Sequence, residues 1–236
     1  MVRSGNTIVY IDPYLVLPAP DLEFHRAVPV PFPPDNIRKA DAVLSTHDHE
    51  DHCNRETVMV FQRNMQALFI GPTSSTEKAI AWGYPSDRTI VMHANETYQL
   101  SSRITIVAFD SNDLYSESAL TFLVKTPEAT IFHGGDTAYF QGLREIGQAH
   151  KVDVALLSFG KQVPTPERPY YMNAESVAIA ARDLGAAVVV PMHWDLWVEA
   201  RDDPMSIKKW LRHVGARSKL CVLHVGEGFE FDGDAV

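Results

Sequence analysis

A cluster of imidazole and carboxylate side chains directly after a predicted strand constrains this chain more than any other feature. Residues 41–46 have the pattern of a buried strand, and the six residues that follow all carry titratable side chains: His47, Asp48, His49, Glu50, Asp51 and His52. Alternate side chains of an extended segment point the same way, so His47 and His49 would converge on one side. Asp51 and His52 come within reach as the chain turns into the next helix.

Imidazole and carboxylate groups together suit Zn²⁺, Mn²⁺ or Fe²⁺, and a segment that offers four of them can serve two neighbouring ions. The alternative is a solvated loop that happens to be rich in histidine, which this spacing disfavours. We therefore predict that His47, His49, Asp51 and His52 bind one or two divalent metal ions.

Strand-like and helix-like segments alternate along the 236 residues, with strands that read as antiparallel hairpins between residues 97 and 133. No repeat of 20–50 residues, low-complexity block or linker interrupts this order. The pattern predicts one mixed α/β domain over residues 1–236. Two predicted helices have clear ends: one over residues 75–82, with a Ser74–Glu77 capping box, and one over residues 174–184, between Asn173 and Gly185.

Charge and composition exclude several classes of function. The net charge is −9 and no run of Lys or Arg is present, which disfavours a nucleic-acid binder. No apolar stretch approaches the roughly 18–20 residues of a membrane span, and the first residues lack a signal-peptide core. The two cysteines, Cys53 and Cys221, do not have the spacing of a disulfide framework. We expect a cytoplasmic protein with free thiols that contacts neither nucleic acid nor membrane.

Residues 13–34 hold seven of the fifteen prolines, so this stretch cannot form a helix or a central strand. It leaves the predicted strand that ends near Asp12 and returns to the strand that delivers His47. We predict that residues 16–34 lie over the metal site as part of a substrate pocket; a plain surface connection is the alternative.

Three motifs, met in order along the chain, resemble the metallo-β-lactamase superfamily. They are His-x-His-x-Asp-His at residues 47–52, the strand-end motif at residues 133–137 and the segment Pro-Met-His-Trp at residues 191–194. A narrower similarity, to the ascorbate-phosphate lactonase branch, covers residues 37–49, 69–72, 82–85, 191–197 and 203–204. The resemblance implies a four-layer αβ/βα sandwich. It also implies that the first two amino-terminal strands are lacking, because the chain starts in the turn before Thr7, and that the exposed apolar sheet edge must be covered.

The same resemblance implies a set of metal ligands. His47 and His49 would bind the first ion, while Asp51, His52 and His193 would bind the second. Asp136 would bridge the two ions.

The first site lacks its usual third histidine, because residues 107–113 contain none. Asp113 is the residue we choose for this ligand, with Asp110 in reserve and His93 as an outside candidate. A turn residue that makes an Asx-type bond is the alternative role for Asp113. A carboxylate at this position would shift the metal preference toward Mn²⁺ or Fe²⁺.

The remaining site predictions concern catalysis and substrate. Asp51 would orient the attacking hydroxide and pass a proton to the leaving group. His133 either orients a ligand or touches substrate, or else is a hydrogen-bonded strand histidine. Loops at this edge carry specificity in such folds, and they supply four candidate substrate contacts: Lys161, Arg168, Tyr171 and Trp194.

The resemblance implies a metal-dependent hydrolase in which a metal-bound hydroxide attacks a small lactone or ester, such as a phosphorylated sugar lactone. We also expect a homo-oligomer. A metal-dependent phosphodiesterase is the second interpretation. The third is a non-catalytic metal-binding or assembly protein, which the presence of every core ligand type disfavours.

Overall fold

The first sheet of the computed structural model has five short strands. The structure describes residues 1–17, 24–64 and 66–231. From one edge to the other the strands are β1 (Val2–Ser4), β2 (Thr7–Ile11), β3 (Ala42–Leu44), β4 (Leu68–Gly71) and β5 (Thr89–Val91). β1 is antiparallel to β2, and the other pairs are parallel. Where the sequence indicated a turn before Thr7, Val2–Ser4 instead forms a strand, because Gly5 takes a φ of 56° and closes a tight hairpin.

The second sheet supplies the opposite layer. The strands that follow along the chain are β6 (Thr97–Gln99), β7 (Thr105–Asp110), β8 (Leu120–Lys125), β9 (Thr130–His133), β10 (Val154–Ser158), β11 (Pro164–Thr165), β12 (Arg168–Pro169), β13 (Val188–Met192) and β14 (Lys219–Leu220). β11 and β12 pair with each other as a small hairpin. The other seven form one sheet in the order β14-β13-β10-β9-β8-β7-β6, with the antiparallel pairs between β6 and β9.

Helices cover the outer face of each sheet. They are α1 (Arg55–Asn64), α2 (Thr73–Ala81), α3 (Gly142–Ala149), α4 (Ala174–Leu184) and α5 (Ile207–His213). Phe61 of α1 is buried against the first sheet, and Val177 of α4 is buried against the second. A separate core between the sheets includes Leu44 and Phe122. The predicted four-layer αβ/βα sandwich is confirmed. Across the described residues, every helix is too short or too polar to cross a membrane.

The two helices with predicted ends differ in outcome. Asn173 caps α4 by accepting a hydrogen bond from the Ser176 N–H at 2.9 Å, and Gly185 ends it with a φ of 64°, as predicted. The capping box predicted for α2 is wrong, because the helix begins at Thr73, directly after Pro72. The Ser74 hydroxyl lies 2.7 Å from the Ser118 hydroxyl instead.

Strand direction brings the important loops to one edge of the sandwich. β7, β9 and β13 run the same way, so their carboxyl ends lie at one edge of the second sheet. The loop after β3 joins this edge, because the Leu120 N–H donates to the Thr46 carbonyl at 2.9 Å. Side chains from both sheets therefore meet between these loops.

Candidate metal centre

Seven ligand-type side chains meet at this edge in two groups. Four follow β3, and one each follows β7, β9 and β13. Within each group, one ligand atom of every member lies within 4.8 Å of those of the others. The first group contains His47, His49 and Asp113, and the second contains Asp51, His52, Asp136 and His193.

The first group has its predicted third member in place. His47 Nε2 lies 3.0 Å from His49 Nδ1 and 3.7 Å from Asp113 Oδ2. The other oxygen of Asp113, Oδ1, accepts a hydrogen bond from the Tyr115 N–H at 2.8 Å, which is an Asx-type turn. One carboxylate oxygen of Asp113 therefore makes the Asx-type turn, while the other faces His47. Its role as a metal ligand stays a prediction.

The second group is built around Asp136. Its Oδ1 lies 3.1 Å from His193 Nε2 and 3.3 Å from His52 Nε2. Asp51 Oδ2 lies 3.5 Å from the same His52 nitrogen. Asp136 thus stands with His52 and His193, and its role as a bridge to the first group stays a prediction.

Within the described part of the chain, several ligand-type atoms in the two groups are buried without a hydrogen-bond partner. These atoms are His52 Nε2, Asp113 Oδ2, Asp136 Oδ1 and His193 Nδ1. Burial of a polar atom without a partner is costly, so such atoms call for an explanation. A cation in each group would satisfy His52 Nε2, Asp113 Oδ2 and Asp136 Oδ1. Nitrogen and carboxylate oxygen are ligands that divalent transition metals accept. The residues present therefore fit divalent metal ions.

The charged side chains of the second group shift one another's pKa values in opposite directions. Burial alone would raise the pKa of Asp136, but His193 and His52 outweigh it and hold that pKa well below its usual range. The pKa of His52 is raised well above its usual value, because Asp136, Asp51 and Asp12 outweigh its burial. Without a metal ion, the carboxylates and imidazoles of this group therefore stabilise one another's charged forms.

Backbone geometry delivers two of these ligands. Gly135 takes a φ of 54°, and a Cβ there would lie 2.8 Å from Thr46 Oγ1, so only glycine allows the Asp136 turn to approach this closely. His193 itself has a φ of 65°, which is strained for a residue with a side chain. The loops that carry Asp113 and Asp136 are also joined, because the Ala138 N–H donates to the Asn112 carbonyl at 3.0 Å.

Asp12 belongs to the site but was missed by the sequence reasoning, which saw it only as the end of a strand. Its carboxylate accepts hydrogen bonds from the Thr46 N–H at 2.8 Å and from the Thr46 hydroxyl at 2.7 Å. It also lies 2.9 Å from His52 Nδ1, so it fixes the orientation of that ring. The available signal was its position: β2 and β3 are parallel neighbours, so Asp12 and the 47–52 cluster end at the same edge.

An aromatic cluster encloses the second group. Tyr14, Tyr171, Trp197 and Ala200 form its buried part. The Tyr171 ring stacks on His193 with centroids 4.7 Å apart, and the Trp197 indole donates to Asp51 Oδ2 at 3.3 Å. This wall shields the metal ligands on one side from solvent.

The described part of the proline-rich segment lies beside this wall. Phe24 contacts Trp197, and the Ala27 N–H donates to the Leu196 carbonyl at 2.7 Å. Residues 18–23, in the amino-terminal part of the segment 16–34 predicted to cover the metal site, lie outside the described residues. The segment on their carboxyl-terminal side thus contacts the loop that carries His193.

The four predicted substrate contacts lie in different surroundings. Tyr171 is 4% exposed and supports His193. Trp194 packs against the core under the helices and makes an edge contact with His224, so it belongs to a different cluster from Tyr171. Lys161 is exposed, and Arg168 contacts the loop of Asp113. The substrate role of all four stays a prediction.

His133 is a buried strand histidine. Its Nδ1 accepts a hydrogen bond from the Gly135 N–H at 3.3 Å and lies 4.0 Å from Asp12 Oδ2. This geometry matches the hydrogen-bonded interpretation, in which His133 supports the Asp136 turn. A catalytic role for it stays a prediction.

Comparison with known proteins identifies the family. A family model described as a beta-lactamase superfamily domain matches residues 7–194. The chain belongs to the metallo-β-lactamase superfamily. The resemblance inferred from the motifs at residues 47–52, 133–137 and 191–194 is thereby confirmed.

The relatives include lactonases and hydrolases. The probable L-ascorbate-6-phosphate lactonase UlaG of Escherichia fergusonii is 32% identical over 207 residues, which cover 78% of this chain and 57% of that protein. Igni18, a metallo hydrolase from Ignicoccus hospitalis, is 25% identical with a TM-score of 0.69, over 82% of this chain and 81% of its own. The isothiocyanate hydrolase from Delia radicum gut bacteria is 18% identical with a TM-score of 0.79, over 98% and 95% of the two chains. That last similarity concerns the fold.

This chain therefore spans little more than half the length of the curated lactonases that it matches. The family and the donor set together support a metal-dependent hydrolase. The substrate is a matter for proposal.

Proposed function

We propose that this chain is a metal-dependent hydrolase that acts on a small lactone or ester. The observation that carries the proposal is the meeting of seven ligand-type side chains in two largely buried groups, several of whose ligand-type atoms lack hydrogen-bond partners among the described residues. Such a centre is costly to fold without a cation, and family members of similar sequence are lactonases and hydrolases.

Divalent ions bound there would lower the pKa of water toward neutrality and polarise a substrate carbonyl. The chain's own residues then supply orientation. Asp51 Oδ2, fixed by the Trp197 indole, orients the attacking water by accepting its hydrogen bond. Asp12 holds the His52 ring, and Tyr171 holds the His193 ring, so neither imidazole reorients when substrate binds.

A phosphorylated sugar lactone is the substrate we favour, because the matching curated relatives are named as lactonases of L-ascorbate-6-phosphate. Lys161 and Arg168 are the cationic residues predicted at the substrate edge. For the ions we propose Mn²⁺ or Fe²⁺ over Zn²⁺, since Asp113 supplies a carboxylate where the usual pattern has an imidazole.

The test is hydrolysis by the purified chain after metal removal and after reloading with Zn²⁺, Mn²⁺ or Fe²⁺ separately. The substrates are L-ascorbate-6-phosphate, an unphosphorylated sugar lactone and an aryl phosphodiester. We expect metal-dependent opening of the phosphorylated lactone, with at least tenfold lower turnover on the other two.

The matched variants are His193→Ala, in the second group, and His213→Ala, an exposed histidine on α5. The first should abolish turnover and lower metal content, whereas the second should change neither. Faster turnover of the phosphodiester would instead establish a phosphodiesterase. Metal binding without turnover of any substrate would contradict the proposal and favour a binding protein.

A further inference from the structure

Arg168 and Tyr115 clasp the loop that carries Asp113. The Arg168 guanidinium donates to the Leu114 carbonyl at 2.6 Å and lies over the Tyr115 ring, 4.8 Å from its centroid. In return, the Tyr115 hydroxyl donates to the Arg168 carbonyl at 2.8 Å. The loop after β7 and the hairpin β11–β12 are 54 residues apart in sequence at the Arg168–Leu114 bond, so this clasp is a long-range contact.

Asp113 depends on the conformation of this loop. Its Oδ1 is held by the Tyr115 N–H, which turns the unpartnered Oδ2 toward His47 Nε2. A shift of residues 114–115 would therefore move the carboxylate out of the first group. A carboxylate reaches less far than an imidazole from the backbone, so the group tolerates little displacement.

The clasp continues toward the second group through aromatic contacts. The Tyr115 ring lies 4.4 Å from the Tyr170 ring, and Tyr170 is followed by Tyr171, whose ring stacks on His193. One short stretch, residues 168–171, thus touches the loop of Asp113 at one end and His193 at the other.

We propose that Arg168 and Tyr115 are positioning residues that set the metal affinity of the first group through Asp113. The inference rests on the proposed metal centre, and it gives Arg168 a role other than the predicted substrate contact. Two contacts support it. The Arg168 guanidinium donates to the Leu114 carbonyl, and its planar face stacks on the Tyr115 ring, which a lysine ammonium would not do in the same way. Supporting residues of this kind change metal affinity by roughly 10–100-fold when they are removed.

The experiment is calorimetric titration of the chelator-treated full chain with Mn²⁺, which reports binding without any assay of turnover. The variant Asp113→Ala should lose one Mn²⁺-binding step, and the step that it loses is assigned to the first group. Arg168→Ala should weaken that same step at least tenfold and leave the other step within twofold. Tyr115→Phe, which keeps the ring but loses the hydroxyl, should weaken it severalfold, and Arg168→Lys should not restore the affinity.

Controls separate positioning from general damage. Arg217→Ala, at an exposed arginine after α5, should leave both steps unchanged. All variants should keep the thermal unfolding temperature of the metal-free wild type within a few degrees. Equal weakening of both steps by Arg168→Ala, full affinity in that variant, or full rescue by Arg168→Lys would overturn the inference. If both Mn²⁺-binding steps were unaltered in Asp113→Ala, Asp113 would not be a ligand and the inference would fall with it. Loss of turnover without a change in Mn²⁺ binding would bear only on the proposed reaction.

Discussion

The Trp197 indole N–H donates to Asp51 Oδ2 at 3.3 Å across 146 residues of sequence. Trp197 is 4% exposed and lies within the aromatic wall, so this hydrogen bond is shielded from water. Asp51 Oδ2 also lies 3.5 Å from His52 Nε2, which places Asp51 at the edge of the charged second group. The indole is a neutral hydrogen-bond donor to this edge. It fixes one carboxylate oxygen without adding charge.

We expect Trp197→Phe to lower turnover about tenfold while metal content falls little, because a smaller aromatic ring still fills part of the wall while the donor to Asp51 is lost. Steady-state kinetics with metal analysis would show a fall in kcat larger than any change in KM. Trp210→Phe, at a tryptophan of α5, is the matched control and should leave kcat unchanged. Equal kinetics in the two variants would contradict a role for the indole.

Gly135→Ala should be clearly more destabilising than Gly185→Ala. Both glycines are left-handed, so each substitution carries about 1–2 kcal/mol of backbone strain. A Cβ at Gly185 meets nothing within 4 Å, whereas one at Gly135 would lie 2.8 Å from Thr46 Oγ1 and add about 1–3 kcal/mol of overpacking. Urea unfolding would measure the difference, and a matching loss in both variants would argue against the close approach.

Metal binding to the second group should release protons at pH 7. Burial alone would lower the pKa of His193 and of His52, but Asp136 outweighs it and raises both, so each ring holds a proton to higher pH than a free imidazole does. Each must lose a proton to become a ligand, and affinity should therefore increase as pH rises through neutrality. Titration calorimetry in buffers of different ionisation enthalpy measures the protons released. A release of zero would show that the histidines are neutral before binding.

His133→Gln should flatten the loss of stability in acid. Burial lowers the pKa of His133 to about 4, whereas an unfolded histidine titrates near 6.5. Between pH 6.5 and about pH 4 the unfolded chain binds a proton that the folded chain does not. The free energy of unfolding therefore decreases as the pH is lowered through this range, by on the order of 3 kcal/mol. Comparison of urea unfolding of the metal-free wild type and variant at pH 7 and pH 4.5 isolates this contribution. Parallel curves would contradict it.

Much of the site was readable because its ligands follow predicted strands directly. The side chains at residues 47–52 are too polar for a core and too closely spaced for an ordinary loop. Asp113 was chosen because no histidine stands nearby and because the lactonase branch places Asp residues in this segment. The sequence could not separate the turn interpretation from the ligand interpretation, since it does not show that one oxygen makes the turn while the other faces His47.

The residues that were missed act over long sequence distances. Asp12 contacts Thr46 and His52 only because β2 and β3 pair, and Trp197 reaches Asp51 only after both sheets have assembled. The start of α2 was misplaced because the helix begins at Thr73, directly after Pro72 and without a side-chain cap, while the Ser74 hydroxyl pairs with that of Ser118. The strand Val2–Ser4 was missed because three residues carry little pattern.

The two ligand groups draw on both halves of the sandwich, with four side chains after β3 of one sheet and three after strands of the other. Neither sheet alone can form either group, since the first needs Asp113 and the second needs Asp136 and His193. Only molecules in which the two sheets are packed together can therefore bind metal in these groups. In a preparation saturated with metal, the ratio of metal to protein is therefore a gauge of the folded fraction.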